Sequence, residues 1–325
     1  AYLGKMKLNN KFLNLLFYSL IVFGLFTFVI NSGLDIELKI YNYYYFIAAI
    51  FLKIINFFIF NQVHYHIFNI FSLKIGISEN FDLTYKGYIG NFFGFGKSGT
   101  GYKAIFLKNK YQFSYIKFLS FYILLQTITI ISTAFFCLLI LLLSSDHQIN
   151  ENTNLILVLL SIIIFSITSN LIYKIFTNIR FLSKNKYFQN LVHTYEEIAL
   201  ITSKFTFKDK NFIRVIFYQI FIQLSLFAQI LTLSQSLNID LKILSNFVYN
   251  IISQLSTFVS ITPNSIGLKE FILVISDQFI GLTNSKILNI AILDRLSDFI
   301  SLAVFSLIFY FVKAFFMNKG DEVED

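Results

Sequence analysis

Apolar residues in this chain gather into long runs separated by shorter polar connections. The runs cover residues 12–31, 40–60, 118–143, 153–173, 212–236, 243–262 and 286–316. Each is near or above the roughly 20 residues with which an α-helix crosses the hydrocarbon core of a bilayer. A shorter apolar helix is predicted at 266–281. The pattern predicts an all-α, polytopic integral membrane protein with about seven or eight transmembrane helices, because only helices and closed barrels satisfy their backbone groups in lipid. Residues 243–282 fit either two crossings or one re-entrant hairpin. Further along, Phe188, Leu191, Tyr195, Ile198, Thr202 and Phe205 recur at helical spacing, with Glu196, Glu197 and Lys204 off that stripe. This predicts a helix lying either on the membrane surface or against another connection.

Charge placement orients the spans. Eighteen of the 26 Lys and Arg residues lie in the N-terminus and in the connections 61–117 and 174–214, whereas the opposite connections hold only Lys39, Lys242 and Lys286. The basic side faces the cytoplasm, which predicts cytoplasmic termini and two long cytoplasmic connections. The first run follows Lys5, Lys7 and Lys11 and lacks a small-residue cleavage site, so it reads as a retained span and not as a signal peptide. The predicted organisation is a cytoplasmic N-terminus over 1–11, with 1–5 ahead of Met6 set aside, one membrane domain over 12–316 and a cytoplasmic tail over 317–325.

Composition agrees with this reading. Apolar residues make up 56% of the 325 and charged residues 14%, well under the quarter or so carried by soluble chains. The net charge of +8 invites a nucleic-acid reading, but the basic residues are used as orientation signals, and no nucleic-acid partner is expected. Cys137 is the single cysteine and lies in an apolar run, which excludes an internal disulfide and a cysteine-based zinc site. His64 and His66 are two residues apart and face different sides of a helix. Neither a metal nor another cofactor is expected.

The stretch NFFGFGKSGTGYK at 91–103 carries G-x-G-x-x-G at Gly94, Gly96 and Gly99, and Gly96-Lys97-Ser98 resembles the end of a P-loop. A P-loop needs a glycine where Asn91 stands, and both nucleotide fingerprints need a preceding buried strand that this region does not provide. The glycines instead free the backbone to break a helix beside Lys97 and Lys103. A helix start there suits an anionic headgroup. A second break is predicted in TPNSIGLKE at 262–270, where Pro263, Asn264, Ser265 and Gly267 precede Lys269 and Glu270. Its freed backbone groups must be satisfied by protein or a wet cavity, and the stretch is expected to line a cavity.

Two further patterns place polar groups at membrane depth. Asn246, Asn250, Ser253, Thr257 and Ser260 form one stripe on an apolar helix, which serves either as hydrogen-bonding glue to a neighbouring helix or as a polar pathway. The last span holds Asp294, Arg295 and Asp298 within LDRLSDFIS. Charges at that depth turn inward and pair, with Lys269 and Glu270 as the expected partners. They form either a clamp on the last span or part of a site for substrate or headgroup.

Segments following Gly101 and Gly267 share an order of features. Gly101-Tyr102-Lys103 matches Gly267-Leu268-Lys269, each is followed by an apolar helix and then a longer span, and Gln126 and Arg295 fall at nearly equal depths. This predicts two halves, about 40–143 and 212–316, related as an inverted internal repeat of the kind found in transporters. These motifs together, PNSIGLKE, LDRLSD and GTGYKAIFLKNKY, resemble the lysylphosphatidylglycerol synthase transmembrane family over about residues 10 to 316.

The family's P-x-x-x-G-x-x-E pattern falls on Pro263, Gly267 and Glu270 and its later arginine on Arg295. In the first half Tyr102 stands where glutamate is common and Gln126 where arginine is common. The resemblance implies a lipid flippase or transporter in a bacterial or archaeal plasma membrane. Its partners would be membrane lipids, anionic or phosphate-bearing, held by Lys97, Lys103, the break at 263–270 and Arg295. Coupling, where there is any, would run through Glu270 or Asp298 as a proton carrier. The aminoacyl-transferase domain of the fused members has no counterpart in these 325 residues, so the resemblance implies a non-enzyme. The alternatives are an integral-membrane glycosyltransferase using Asp35 and Glu37, or an accessory subunit working with envelope-biosynthesis enzymes.

Overall fold

The computed structural model describes residues 39–94, 97–143, 209–258 and 262–317. These form two groups of helices with the same order. The first group is α1 (Tyr43–Ile70), α2 (Ile77–Phe93), α3 (Ser98–Tyr111) and α4 (Tyr115–Leu143). The second is α5 (Lys210–Ser236), α6 (Ile243–Phe258), a 3-10 turn (Pro263–Ser265), α7 (Leu268–Ile275), the single turn α8 (Asp277–Ile280) and α9 (Asn284–Met317). Each group therefore runs long helix, short helix, break, short helix, long helix. The described residues contain no strand.

Local chemistry sets the ends. The Asn42 side chain accepts the Tyr44 N–H at 3.0 Å and opens α1, and the Asp209 side chain accepts the Asn211 N–H at 2.8 Å and opens α5. Both supply an acceptor to amides that the helix itself leaves unpaired. Tyr43–Ile70, Tyr115–Phe136 and Lys210–Ser236 are long and apolar enough to cross a bilayer. The protein is a membrane protein built from helices.

The helices expected at 40–60, 118–143, 212–236, 243–262, 266–281 and 286–316 appear as α1, α4, α5, α6, α7 with α8, and α9. The largest difference in boundary is at the end of α1. Residues 61–70, read from sequence as the start of a connection, continue α1, because their polar side chains find partners inside the protein. The Asn80 amide donates to the Asn61 backbone and side-chain oxygens at 2.9 and 2.7 Å, and His66 Nδ1 lies 3.1 Å from Asn211 Oδ1. The rest of the expected 61–117 connection is the α2–α3 hairpin. The expected spans at 12–31 and 153–173, the amphipathic stretch at 188–205, Asp35, Glu37 and the repeat's connecting region lie outside the described residues.

The long helices α1 and α5 lie side by side and run antiparallel. The Tyr41 N–H donates to the Ser236 oxygen at 2.9 Å at one end, while His66 meets Asn211 at the other. Phe46 and Ala49 pack with Ile230 and Leu233 in one buried core, which extends to Tyr249, Leu273 and Leu293. Val63 and Ile67 pack with Val215 and Ile222 in a second, which extends to Leu83, Leu107 and Phe121. On the outer flanks α4 packs on α5 and α9 on α1. Buried apolar surface of this kind contributes roughly 25 cal/mol per Å² where water is displaced, and close packing carries it within lipid.

The glycine-rich stretch acquires its explanation in the α2–α3 hairpin. A Cβ on Gly90 would stand 2.7 Å from the Gly99 Cα, and one on Gly99 would stand 1.8 Å from the Gly87 oxygen. The two helices touch backbone to backbone, as small residues allow in membrane helix pairs. The open end is fastened by Glu79, which accepts hydrogen bonds from Lys110 and from the Tyr111 hydroxyl. Burial pulls the Glu79 carboxyl upward, but these two donors outweigh it and leave it below the ordinary carboxylate range.

Two outcomes follow from this geometry. Gly99→Ala forces α2 from α3 and costs about 1–3 kcal/mol as overpacking does, while Gly101→Ala, whose Cβ meets nothing within 4 Å, is neutral or slightly stabilising; thermal unfolding in detergent separates them. Because the folded Glu79 pKa is depressed, its contribution is present above the unfolded carboxylate value and is lost as pH falls through the folded one. The protection factors of amides at 77–80 and 108–111, corrected for the intrinsic pH dependence of exchange, therefore fall on acidification in the wild type and are already low, and flat with pH, in Glu79→Gln.

Candidate functional site

Six charged side chains meet where α9 crosses α1, α5 and α7. Asp294, 3% exposed, accepts from Lys269 Nζ at 2.7 Å, from Lys53 Nζ at 2.7 Å and from the Gln229 amide at 2.8 Å. Lys53 also donates to the Asp294 backbone oxygen at 2.7 Å and pairs with Asp298. Glu270 accepts from Arg295 Nε at 2.7 Å and from the Gly267 N–H at 2.6 Å, so one carboxylate both caps α7 and holds α9. Arg295 Nη1 stands 3.9 Å from Asp298 Oδ2. Three cations answer three anions, and the cluster sums to zero.

The expected partners Lys269 and Glu270 do meet Asp294 and Arg295, and Asp298 joins them. Lys53 was missed. Its signal was present, since a lone lysine inside a membrane run must have an anionic or wet partner. Its partner is 241 positions away, which no local pattern reveals.

The break before α7 is satisfied by protein. Asn264, Ser265 and Gly267 have φ of 47°, 56° and 83°, and Pro263 opens the 3-10 turn. The Thr262 hydroxyl donates to the Ile266 oxygen at 2.9 Å, and Arg295 Nη2 stands 3.4 Å from the Ser265 oxygen. The Ile266 and Ser265 oxygens and the Gly267 N–H are thus met by side chains, and the Ser265 N–H by the Thr262 backbone oxygen at 3.0 Å. Residues 262–270 are not among the residues that line the cavity described below.

That cavity, of about 390 Å³, lies between the two helix groups and is walled by α1, α2, α4, α5, α6 and α9. Its polar wall includes Lys53, Asp298, Asn56, Gln219, Gln229 and Gln254, and Phe57, Phe60, Leu226 and Phe305 make much of the rest. A ladder of amides and hydroxyls supports it. The Gln219 amide donates to Thr129 Oγ1 at 3.2 Å, the Gln223 amide to Ser132 Oγ at 3.3 Å and the Gln254 amide to the Gln223 oxygen at 3.1 Å, while the Thr133 hydroxyl donates to the Gln254 oxygen at 2.8 Å. These residues were not singled out by sequence. Glutamines at 219 and 223, one turn apart in an apolar run, were the available signal.

The polar stripe on α6 divides between its two readings. Asn246 donates to the Phe227 oxygen at 2.9 Å, which is glue to α5, and within α6 Asn250 donates to Asn246 Oδ1 at 2.8 Å. Thr257 lines the cavity. Ser253 is half-buried with its backbone oxygen accepting from Ser256, and Ser260 lies outside the described residues.

The first-half lysines sit apart from the cavity. Lys97, at φ 57°, precedes α3 and donates to the Tyr122 hydroxyl at 2.8 Å. Lys103 is buried with Nζ 3.4 Å from His64 Nδ1. The start of α3 is occupied by protein, since the Thr100 N–H is accepted by Asn91 Oδ1 at 3.1 Å. Among the described residues no group of three or more His, Cys, Asp or Glu is placed to hold a metal.

The model of the lysylphosphatidylglycerol synthase TM region family matches residues 12–306, across both helix groups. The chain belongs to this family. No curated protein and no solved structure matches it. Membership makes the protein membrane-associated and lipid-related. The family pattern's Glu270 and Arg295 form the direct ion pair that joins α7 to α9.

Breaking that pair has a defined expectation. Arg295→Leu strands Glu270 and costs about 3–5 kcal/mol, whereas the double change Arg295→Leu with Glu270→Gln recovers most of it, because the stranded charge and not the lost attraction dominates. Thermal unfolding of the four proteins in one detergent reads the coupling.

Proposed function

We propose that this protein is a lipid flippase: it passes the headgroup of a membrane amphiphile through the cavity between the two helix groups while the chains remain in the bilayer. The observation that carries this reading is the cavity itself. It lies between groups of like element order, has a volume of about 390 Å³, within the range of ligand sites, and is polar at Lys53, Asp298 and the glutamines.

The antiparallel course of α1 and α5 supports the further reading that the groups are an inverted repeat. The contacts of α9 with α1 and of α4 with α5 correspond under that relation, as do those of α2 with α3 and α6 with α7. Transporters with such repeats hold substrate at the repeat interface near the midplane. Movement would be downhill or ion-coupled, and the distribution of Lys and Arg supports cytoplasmic termini in a plasma membrane. We assign no group transfer to the chain.

Reconstitution tests the proposal. In liposomes carrying fluorescent phospholipids and glycosyl lipids, translocation of at least one lipid exceeds that of protein-free vesicles. Leu226→Trp, which fills the cavity, lowers that rate about ten-fold or more, equivalent to about 1.4 kcal/mol on the barrier. Ile308→Trp, on an exposed apolar position, leaves it unchanged. Equal rates in the wild type and Leu226→Trp proteins would overturn the reading.

A further inference from the structure

We propose that Lys103 and His64 form a proton-binding site, and that the entry and exit of one proton there drives the movement of lipid through the cavity. This rests on the transport reading above and adds the coupling ion and the side chains that hold it.

Two bases stand together in the first helix group. Lys103 Nζ lies 3.4 Å from His64 Nδ1, which also stands 3.3 Å from Thr84 Oγ1, and both side chains are buried. Phe60 and Phe68 of α1 and Phe121 of α4 surround the imidazole, and the lysine stem fills the space beside Gly87 of α2 that a Cβ would need. The charged and titratable groups of the neighbouring helices are engaged elsewhere or exposed. His66 of α1 stacks on Tyr218 of α5 and meets Asn211. On α2, Glu79 accepts from Lys110 and Tyr111, Asp82 pairs with Lys86 and Tyr85 donates to Ser306. Tyr122 of α4 accepts from Lys97, while Tyr102, Lys108, Lys117 and Arg214 are exposed.

Two cations at that separation in an apolar surround repel too strongly to coexist, so the pair gains one proton and not two. In the loaded form the Lys103 ammonium donates to His64 Nδ1, and the neutral imidazole keeps its own proton on Nε2; in the empty form the amine is uncharged. The lysine at the matching place in the second group meets a carboxylate, since Lys269 pairs with Asp294. An ammonium and a carboxylate neutralise one another and stay ionised. Imidazole in place of carboxylate turns a fixed ion pair into a site whose charge changes by one. Glu270 and Asp298, the carriers expected from sequence, are both held in ion pairs.

The pair stands directly behind the cavity wall. Phe60 lines the cavity, and its ring centroid is 4.3 Å from that of His64. Helix α2, on which the Lys103 stem lies, lines the same cavity through Tyr88. A cation inside an apolar surround is costly, so proton uptake favours an arrangement in which the α2–α3 hairpin leaves α1 and Nζ reaches water. Release favours the packed arrangement. The hairpin moves as a unit because Gly90 and Gly99 join its helices, and a proton taken up on one side and released on the other is thereby tied to reshaping of the cavity.

Two measurements test this. Protein labelled with [15N]histidine is titrated by NMR in nanodiscs from about pH 5 to 9, the range in which such bases exchange protons, and His64→Gln identifies the His64 signals. The ring nitrogens respond in one step, and Lys103→Met displaces its midpoint by about one pH unit or more, as loss of a neighbouring base requires. Constant signals across the range, or a midpoint indifferent to Lys103→Met, would overturn the site. The second measurement uses proteoliposomes clamped at zero membrane potential with a pH gradient of about one unit, carrying NBD-labelled phosphatidylglycerol or NBD-labelled galactosyl diacylglycerol. The transported probe reaches a leaflet ratio approaching about ten-fold, the limit for one proton per lipid, and Lys103→Met and His64→Gln, on different helices, each leave the ratio near one.

An even distribution in wild-type protein that does translocate a probe would overturn the coupling and leave the transport reading standing. No translocation of either probe by the wild type would overturn the transport reading and the coupling with it, while the titration decides the proton site by itself.

Discussion

Everything in the second helix group hangs on a neutral set of buried charges around Asp294. That carboxylate is contacted from α1 by Lys53, from α5 by Gln229 and from α7 by Lys269. Arg295, one residue on, reaches Glu270. An ionised group at such a depth is tolerated only when it is paired and hydrogen-bonded, so each of these helices is held at the distance its partner's side chain dictates. The network specifies position more than it adds stability. An apolar replacement of the whole set would fold as tightly, but nothing would then fix the rotation of α9 against α1.

Position matters because α9 supplies one wall of the cavity. Asp298, Ser301, Leu302 and Phe305 fall on the face that the network turns inward. Phe305 packs on Phe57 at 4.0 Å between ring centroids and on Tyr85 at 5.5 Å, closing the side toward α2. The opposite wall is set by the amides of α5 and α6 bonding to hydroxyls of α4. Charge pairs on one side and amide-hydroxyl ladders on the other leave space between them, because neither set can slide inward without breaking a bond that lipid cannot replace.

How much of this the sequence disclosed follows from the range of each signal. Most helices were legible because apolar runs act locally, and the break before α7 was legible because Pro263 and Gly267 act within a few residues; the caps Asn42 and Asp209 were not singled out. The meeting of Lys269 and Glu270 with Asp294 and Arg295 was legible because charges in apolar runs must pair and few were available. Lys53 and the glutamines of the cavity were not placed. Their partners lie on helices that only the fold brings near, and an amide in an apolar run reads equally as glue or as a wall. The glycines at 94, 96 and 99 were seen as helix breakers, yet Gly99 lies inside α3 and is spent on contact with α2. A break and a close approach use the same residue type, and which one applies depends on whether another backbone stands opposite.

The two hairpins show how like frameworks can be held by unlike chemistry. Lys103 and Lys269 each stand two residues after a glycine in the second short helix of their group, and both are buried. Lys269 meets a carboxylate. Lys103 faces His64, which also contacts Thr84, and, among the described residues, no carboxylate lies within ion-pair distance of Lys103. The first hairpin gets its rigidity from backbone contact at Gly90 and Gly99 and from the Asn91 to Thr100 bond, so it needs no charge network to fix its register. The second is fixed by Glu270 and Asp294. A charged wall therefore forms on the α9 side of the cavity, and neutral amides face it from the α5 side.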